Sequence, residues 1–108
     1  EGIRDEDGSG IASVIFNRIY KRMAIQSDVT TYYAIKVDMG ERDLYKKELN
    51  TYNPYNTRGP DMEGKIPVGP ISSISEASIN ATLNPLESEY IFFVADKNGK
   101  VYFIIMVI

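Results

Sequence analysis

The sequence predicts an α+β domain: several short helices followed by a C-terminal antiparallel β-hairpin. Three observations predict it. Apolar residues near the start recur at helical spacing. The run "SISE" at 73–76 has the Ser-x-x-Glu spacing of a helix capping box. Two apolar runs, "YIFFVA" and "KVYFIIMVI", flank "DKNG", in which Asn98-Gly99 is a strong hairpin-turn signal. The chain has 108 residues, enough for one domain with one core and too few for two.

The elements follow in order. "DEDGSG" (5–10) is a polar lead-in. Ile11, Val14, Ile15 and Ile19 then share one helical face, and Arg18, Lys21 and Arg22 gather at its end, where cations suit the helix dipole. A helix is expected over about 9–22. Asp28 suits the N-cap of a second helix over Val29–Ile35 that carries Tyr32 and Tyr33. "ERDLYKKEL" (41–49) gives a third helical turn or two. "TYNPYNTRGP" (51–60) and the run through "GPDMEGKIPVGP" have no regular period, and long loops in small domains are usually functional or mobile. The capping box, Ser73 with Glu76, opens a helix over Ile74–Leu83 that Asn84-Pro85 stops. The terminal "VYFIIMVI" is too short to cross a bilayer as a helix and reads as a buried strand.

Composition excludes several chemistries. Net charge is -3 with scattered Lys and Arg, so no basic footprint for nucleic acid exists. The sequence has no cysteine, which removes disulfides, thiolate nucleophiles and Cys-ligated metals. It has no histidine, which removes Ser-His-Asp and Cys-His arrangements and His-ligated metals. Acid–base chemistry near neutral pH falls to Asp, Glu, Lys or Tyr with a shifted pKa. No metal and no cofactor is expected.

Candidate sites are few. Glu1, Asp5, Glu6 and Asp7 read as a solvated acidic lead-in; a calcium loop is rejected because its twelfth place, where a bidentate Glu belongs, is Phe16. "GSG" lacks the lysine and preceding strand of a phosphate loop. Asn80-Ala81-Thr82 is a glycosylation triplet on a predicted helix. Asp28 is a cap, or with Gln26 and Ser27 it lines a polar cleft; both readings can hold. The Tyr-Asn-Thr loop is either a turn whose Asn and Pro do backbone work, or a cleft wall that offers amides, hydroxyls and tyrosine faces to sugar or peptide.

Five blocks in order carry a resemblance: "E…DED…IASVIFNRI", "MAIQSDVTTYYAI", "NPYNT", "IPVGPIS…ASINATLNP" and "YIFFVADKNGKVYF". From Glu1 to about Phe103 the chain resembles the catalytic domain of the YceG/MltG-like family of endolytic murein transglycosylases. The resemblance implies non-hydrolytic cleavage of the MurNAc–GlcNAc bond of peptidoglycan glycan strands, leaving anhydro-muramoyl ends. A single Glu serves as general acid and base, without cofactor or metal. It places that acid, the second Glu of a Glu-x-Glu pair, at Glu1. It places substrate contacts at Gln26, Ser27, Asp28, Thr30 and Tyr33 ("QSD" and the residues after it) and at Tyr55, Asn56 and Thr57 ("YNT"). Asn17 and Arg18 take packing or supporting roles, and Pro67, Gly69, Pro70 and Ile71 a turn that shapes the cleft wall.

The resemblance further implies the extracytoplasmic face of a bacterial cytoplasmic membrane, an N-terminal transmembrane anchor outside this sequence, and cell-wall synthesis proteins as partners. The chain is then expected to be a catalytic domain incomplete at its N-terminus and at its C-terminus, where "IIMVI" replaces a polar segment and a further helix. Val29 stands where the family usually has proline. An alternative is a non-catalytic glycan-binding remnant of the same fold. A pyridoxal phosphate-dependent lyase, a label sometimes given to this family, would need a Schiff-base lysine and a phosphate cup, and the sequence shows neither.

Overall fold

The computed structural model describes residues 5–105, and its order of elements is α+β. A 3-10 turn at Asp5–Asp7 leads into α1 (Gly8–Tyr20). α2 (Asp28–Ile35), α3 (Lys46–Leu49) and α4 (Glu76–Leu83) follow, then β1 (Phe92–Ala95) and β2 (Val101–Ile104). The described residues pack as two compact units, 5–18 with 74–105, and 19–73.

In the first unit α1 buries Gly10, Ala12, Ser13 and Val14. Its polar residues hold the segment that leads to the hairpin. Asn17 Nδ2 donates to the carbonyls of Ser88 and Tyr90, each at 2.9 Å. Arg18 Nε donates to the Ile91 carbonyl at 2.7 Å, and its guanidinium lies 4.7 Å from the centre of the Phe92 ring. Ser88 Oγ donates to Ser13 Oγ at 2.9 Å. Asn17 and Arg18 therefore act in packing. Gly10 lets the hairpin approach, because a Cβ there would meet the ring of Phe103, with Cε1 at 2.9 Å. Phe103 also stacks on Tyr90, with centroids 5.1 Å apart.

β1 and β2 pair antiparallel, with Phe92 opposite Ile104 and Ala95 opposite Val101. The turn is closed by Asp96, whose N–H donates to the Lys100 carbonyl and whose Oδ1 accepts the N–H groups of Asn98 and Lys100. Gly99 takes the left-handed position (φ 81°) that the Asn-Gly signal predicts.

Several expected boundaries shift. α1 ends at Tyr20 rather than near residue 22, because Arg22 turns left-handed (φ 59°) and its N–H reaches back only to Ile19. Ser27, not Asp28, is the N-cap of α2, and Asp28 is its first helical residue. The third helix is confined to Lys46–Leu49. α4 starts two residues later than the capping box implies. Ser75 is its N-cap and accepts the Ser78 N–H at 3.1 Å, so the third residue of the turn is Ser78 and Glu76 is the first. Over its described residues the last strand is not a buried one. Only Val101 is buried, whereas Tyr102 and Ile105 are 48 % and 55 % exposed. Two strands form the whole described sheet.

Candidate functional site

The second unit is built around the loop that follows α3. Residues 55–58 run antiparallel to α2 and bond to it residue by residue. Thr57 Oγ1 accepts the Ser27 N–H at 2.9 Å and lies 2.7 Å from Thr30 Oγ1. The Thr57 N–H donates to Thr30 Oγ1 at 3.2 Å, and the Thr57 carbonyl accepts the Gln26 N–H at 3.2 Å. Thr31 Oγ1 donates to Asn56 Oδ1 at 2.7 Å. Arg58 closes the series in an ion pair with Asp28.

Asn56 ties this contact to α3. Its Nδ2 donates to the carbonyls of Thr51 (2.9 Å) and Glu48 (3.1 Å), and its Oδ1 also accepts the Arg58 N–H (3.1 Å). Thr31 and Thr57 are 0 % exposed and Asn56 2 %. Four hydroxyls and amides in a small interior would be costly without partners, yet each has one. Gly59 follows at close quarters: a Cβ there would lie 2.7 Å from Asn56 Nδ2 and 2.8 Å from the Thr51 carbonyl.

The same pairing brings Tyr33 of α2 against Tyr55 of the loop, with ring centroids 4.8 Å apart and planes tilted by 53°. The two rings form part of the wall of an open cleft of about 760 Å³, which Lys36, Asp38, Asn53 and Ser72 also line. Ile71 contributes to the same wall, and the turn before it passes behind Tyr55: the Val68 N–H donates to the Pro54 carbonyl at 3.1 Å, and Gly69 faces the Tyr55 hydroxyl. Tyr55 is fixed from its other side by Asn53, whose Oδ1 accepts the Tyr55 N–H at 2.8 Å.

The residues singled out in the sequence thus fall into distinct places. Tyr33 and Tyr55 line the cleft. Thr30, Asn56 and Thr57 lie beneath the surface in the network that holds the loop to α2. Gln26, Ser27 and Asp28 stand at the N-terminal end of α2, outside the cleft lining. Gln26 is exposed and left-handed (φ 57°), a conformation costly for a non-glycine residue and held here by its N–H to Thr57. Ser27 occupies the N-cap without spending its hydroxyl there. Glu1 lies outside the described residues. Among the described residues no cluster of carboxylates is arranged to hold a metal ion.

Sequence reasoning missed Asn53, Thr31 and the Arg42–Glu48 pair. Arg42 reaches both carboxylate oxygens of Glu48 at 2.8 Å, and Glu48 Oε1 also accepts the Tyr45 N–H at 2.9 Å. The Arg42 guanidinium holds the Glu48 carboxyl down at about 2, with help from the Tyr45 N–H, and Glu48 raises Arg42 in turn. The Arg42 guanidinium also lies 4.0 Å from the centre of the Tyr45 ring. Arg and Glu six residues apart do not meet on one helix, so no periodic signal marks this pair.

The YceG-like family model matches residues 1–105. The endolytic murein transglycosylase of Bacillus subtilis is 39% identical over 103 residues, which cover 95% of this chain and 27% of the relative. The protein of the same name from Streptococcus pneumoniae D39 is 33% identical over 108 residues, 95% of this chain and 19% of that one. The crystal structure of a YceG-like protein from Listeria monocytogenes superposes with a TM-score of 0.78 at 39% identity, over 90% of this chain and 30% of that one. The chain thus spans about a quarter or less of the curated relatives it matches.

Proposed function

Because this chain belongs to the YceG-like family, we propose that it forms part of the catalytic domain of an endolytic murein transglycosylase. The observation that carries the proposal is the match over 95% of the chain to relatives bearing that name, the B. subtilis one at 39% identity. The cleft supports it. Two tyrosine rings beside an amide and a hydroxyl are the surface that a glycan needs: apolar faces for sugar rings, with polar groups to orient them.

In this reading Tyr33 and Tyr55 contact the sugar, and Gln26, Ser27 and Asp28 extend the contacting surface beyond the start of α2. Thr30, Asn56 and Thr57 serve the substrate by holding Tyr55 and the loop in place. Glu1 is the acid. It protonates the glycosidic oxygen between MurNAc and GlcNAc as that bond breaks, and the substrate's acetamido group supports the developing cation. The resulting carboxylate then takes the proton of the muramoyl hydroxymethyl group as its oxygen closes the anhydro ring. One carboxylate suffices because no water is activated, unlike the two-carboxylate hydrolases. A general acid at neutral pH needs a raised pKa, hence partial burial in the working protein. The working site is the extracytoplasmic face of the cytoplasmic membrane, reached through an N-terminal anchor. No helix among the described residues is long and apolar enough to cross a membrane.

The test is mass spectrometry of fragments released from purified peptidoglycan by the full-length protein and by its Glu1→Gln variant. Anhydro-muramoyl ends that disappear in the variant are expected. Reducing ends would mean hydrolysis and would overturn the one-carboxylate mechanism.

A further inference from the structure

A second groove lies beside the cleft. It measures about 390 Å³, within the range of about 300–1,000 Å³ usual for small-molecule sites. Tyr45, Lys47, Thr51 and Tyr52 line it, together with Ala34 and Asn53. Ala34 and Asn53 also line the Tyr33–Tyr55 cleft, so the two depressions adjoin across these residues.

We propose that this groove is a further sugar-binding subsite, and that a glycan strand in the Tyr33–Tyr55 cleft continues past Asn53 into it. The proposal rests on the glycan reading of the cleft. Four features point to a sugar polymer. Tyr52 is 53 % exposed and makes no ring contact among the described residues, which leaves its face open for a pyranose ring. Tyr45 is set in place beforehand, because Arg42 covers one side of its ring and is itself clamped by both oxygens of Glu48. Asn53 sits at the junction with its Oδ1 committed to the Tyr55 N–H, which orients its amide and leaves Nδ2 as a donor for a hydroxyl or acetamido oxygen. Lys47, on the same wall, adds a cation for acidic substituents along the strand. A substrate of one or two sugars would need only the first cleft. A polymer gains from both, and its bound length is then set by the chain of subsites.

Isothermal titration of the full-length protein tests this, in a Glu1→Gln background so that nothing is cut. The probes are peptide-free oligomers of alternating N-acetylglucosamine and N-acetylmuramic acid, one of four sugars and one of eight. Tyr52→Ala should weaken the longer oligomer by about tenfold, the loss of one aromatic contact, and leave the shorter within about twofold. Tyr55→Ala should weaken both. Equal effects of Tyr52→Ala on the two lengths, or none on either, would overturn the groove while leaving the cleft in place. Binding of neither oligomer by the parent protein would overturn the glycan reading of the cleft, and the groove with it.

Discussion

Asn56→Ala is the substitution to which the second unit should respond most. The Asn56 side chain joins three parts of the chain: Thr31 on α2, the Thr51 and Glu48 carbonyls at the end of α3, and the Arg58 N–H in its own loop. Truncation leaves the Thr31 hydroxyl, 0 % exposed, without an acceptor, and strands at least one carbonyl beside the cavity. Each buried group left unpaired costs about 1–3 kcal/mol, so the loss should be about 3–4 kcal/mol. With an m-value of about 1–3 kcal/mol/M, the urea midpoint should fall by about 1–4 M at unchanged slope. The eight tyrosines, with no tryptophan, provide a fluorescence signal. Asn56→Asp sharpens the test. It keeps the acceptor for Thr31 but turns a carboxylate oxygen toward two carbonyls, which disfavours the charged form and raises its folded-state pKa. The folded state then binds the extra proton more tightly, so this variant should regain stability as pH falls from neutral, where the parent does not. A midpoint within about 0.3 M of the parent for Asn56→Ala, or an Asn56→Asp variant without recovery at lower pH, would refute the idea that this amide locks the loop.

Three further outcomes follow from the same structure. Gly10→Ala should cost about 1–3 kcal/mol, seen as a lowered Tm, because its methyl would press on Phe103 where the hairpin meets α1. Lys36→Gly should raise stability by about 0.5–1 kcal/mol: glycine relieves about 1–2 kcal/mol at the left-handed C-cap (φ 59°, ψ 43°) and gives back about 0.5–1 in chain entropy. Glu48, held at about 2 against an ordinary value near 4.5, contributes stability that is fully present above pH 4.5 and lost as pH falls towards 2. The acid limb of a stability–pH profile should therefore be shallower in Glu48→Gln, and an unchanged limb would show that the Arg42 pair contributes nothing.

The hairpin and α2 are the parts most legible in the sequence. Apolar runs around Asn98-Gly99 identify the first, and a Ser-Asp start with a helical run identifies the second to within one residue. The loop was legible only as an anomaly. Asn56 and Thr57 carry the same amide and hydroxyl whether they face a sugar or Thr30 and Thr31, and composition does not distinguish the two. What decides is that α2 and the loop, some 25–30 residues apart in sequence, meet antiparallel. That long-range pairing leaves no local period. Tyr33 and Tyr55 read the same way in both settings, as aromatic rings on a polar segment, and the structure brings them together. Asn53 was not singled out individually because its bond within the fold, to the backbone two residues on, is one that any turn asparagine can make. The α4 start was misplaced because three serines, Ser72, Ser73 and Ser75, offer competing caps and only the geometry selects Ser75.

The most direct measurement is an NMR titration of the Glu1→Gln protein with the four-sugar oligomer, with Tyr ring resonances assigned by single substitutions. Saturable shifts at Tyr33 and Tyr55, with Tyr20 unmoved at the exposed end of α1, are the expected result. Saturable binding that shifts other rings and leaves Tyr33 and Tyr55 in place would contradict the assignment of this cleft to the glycan.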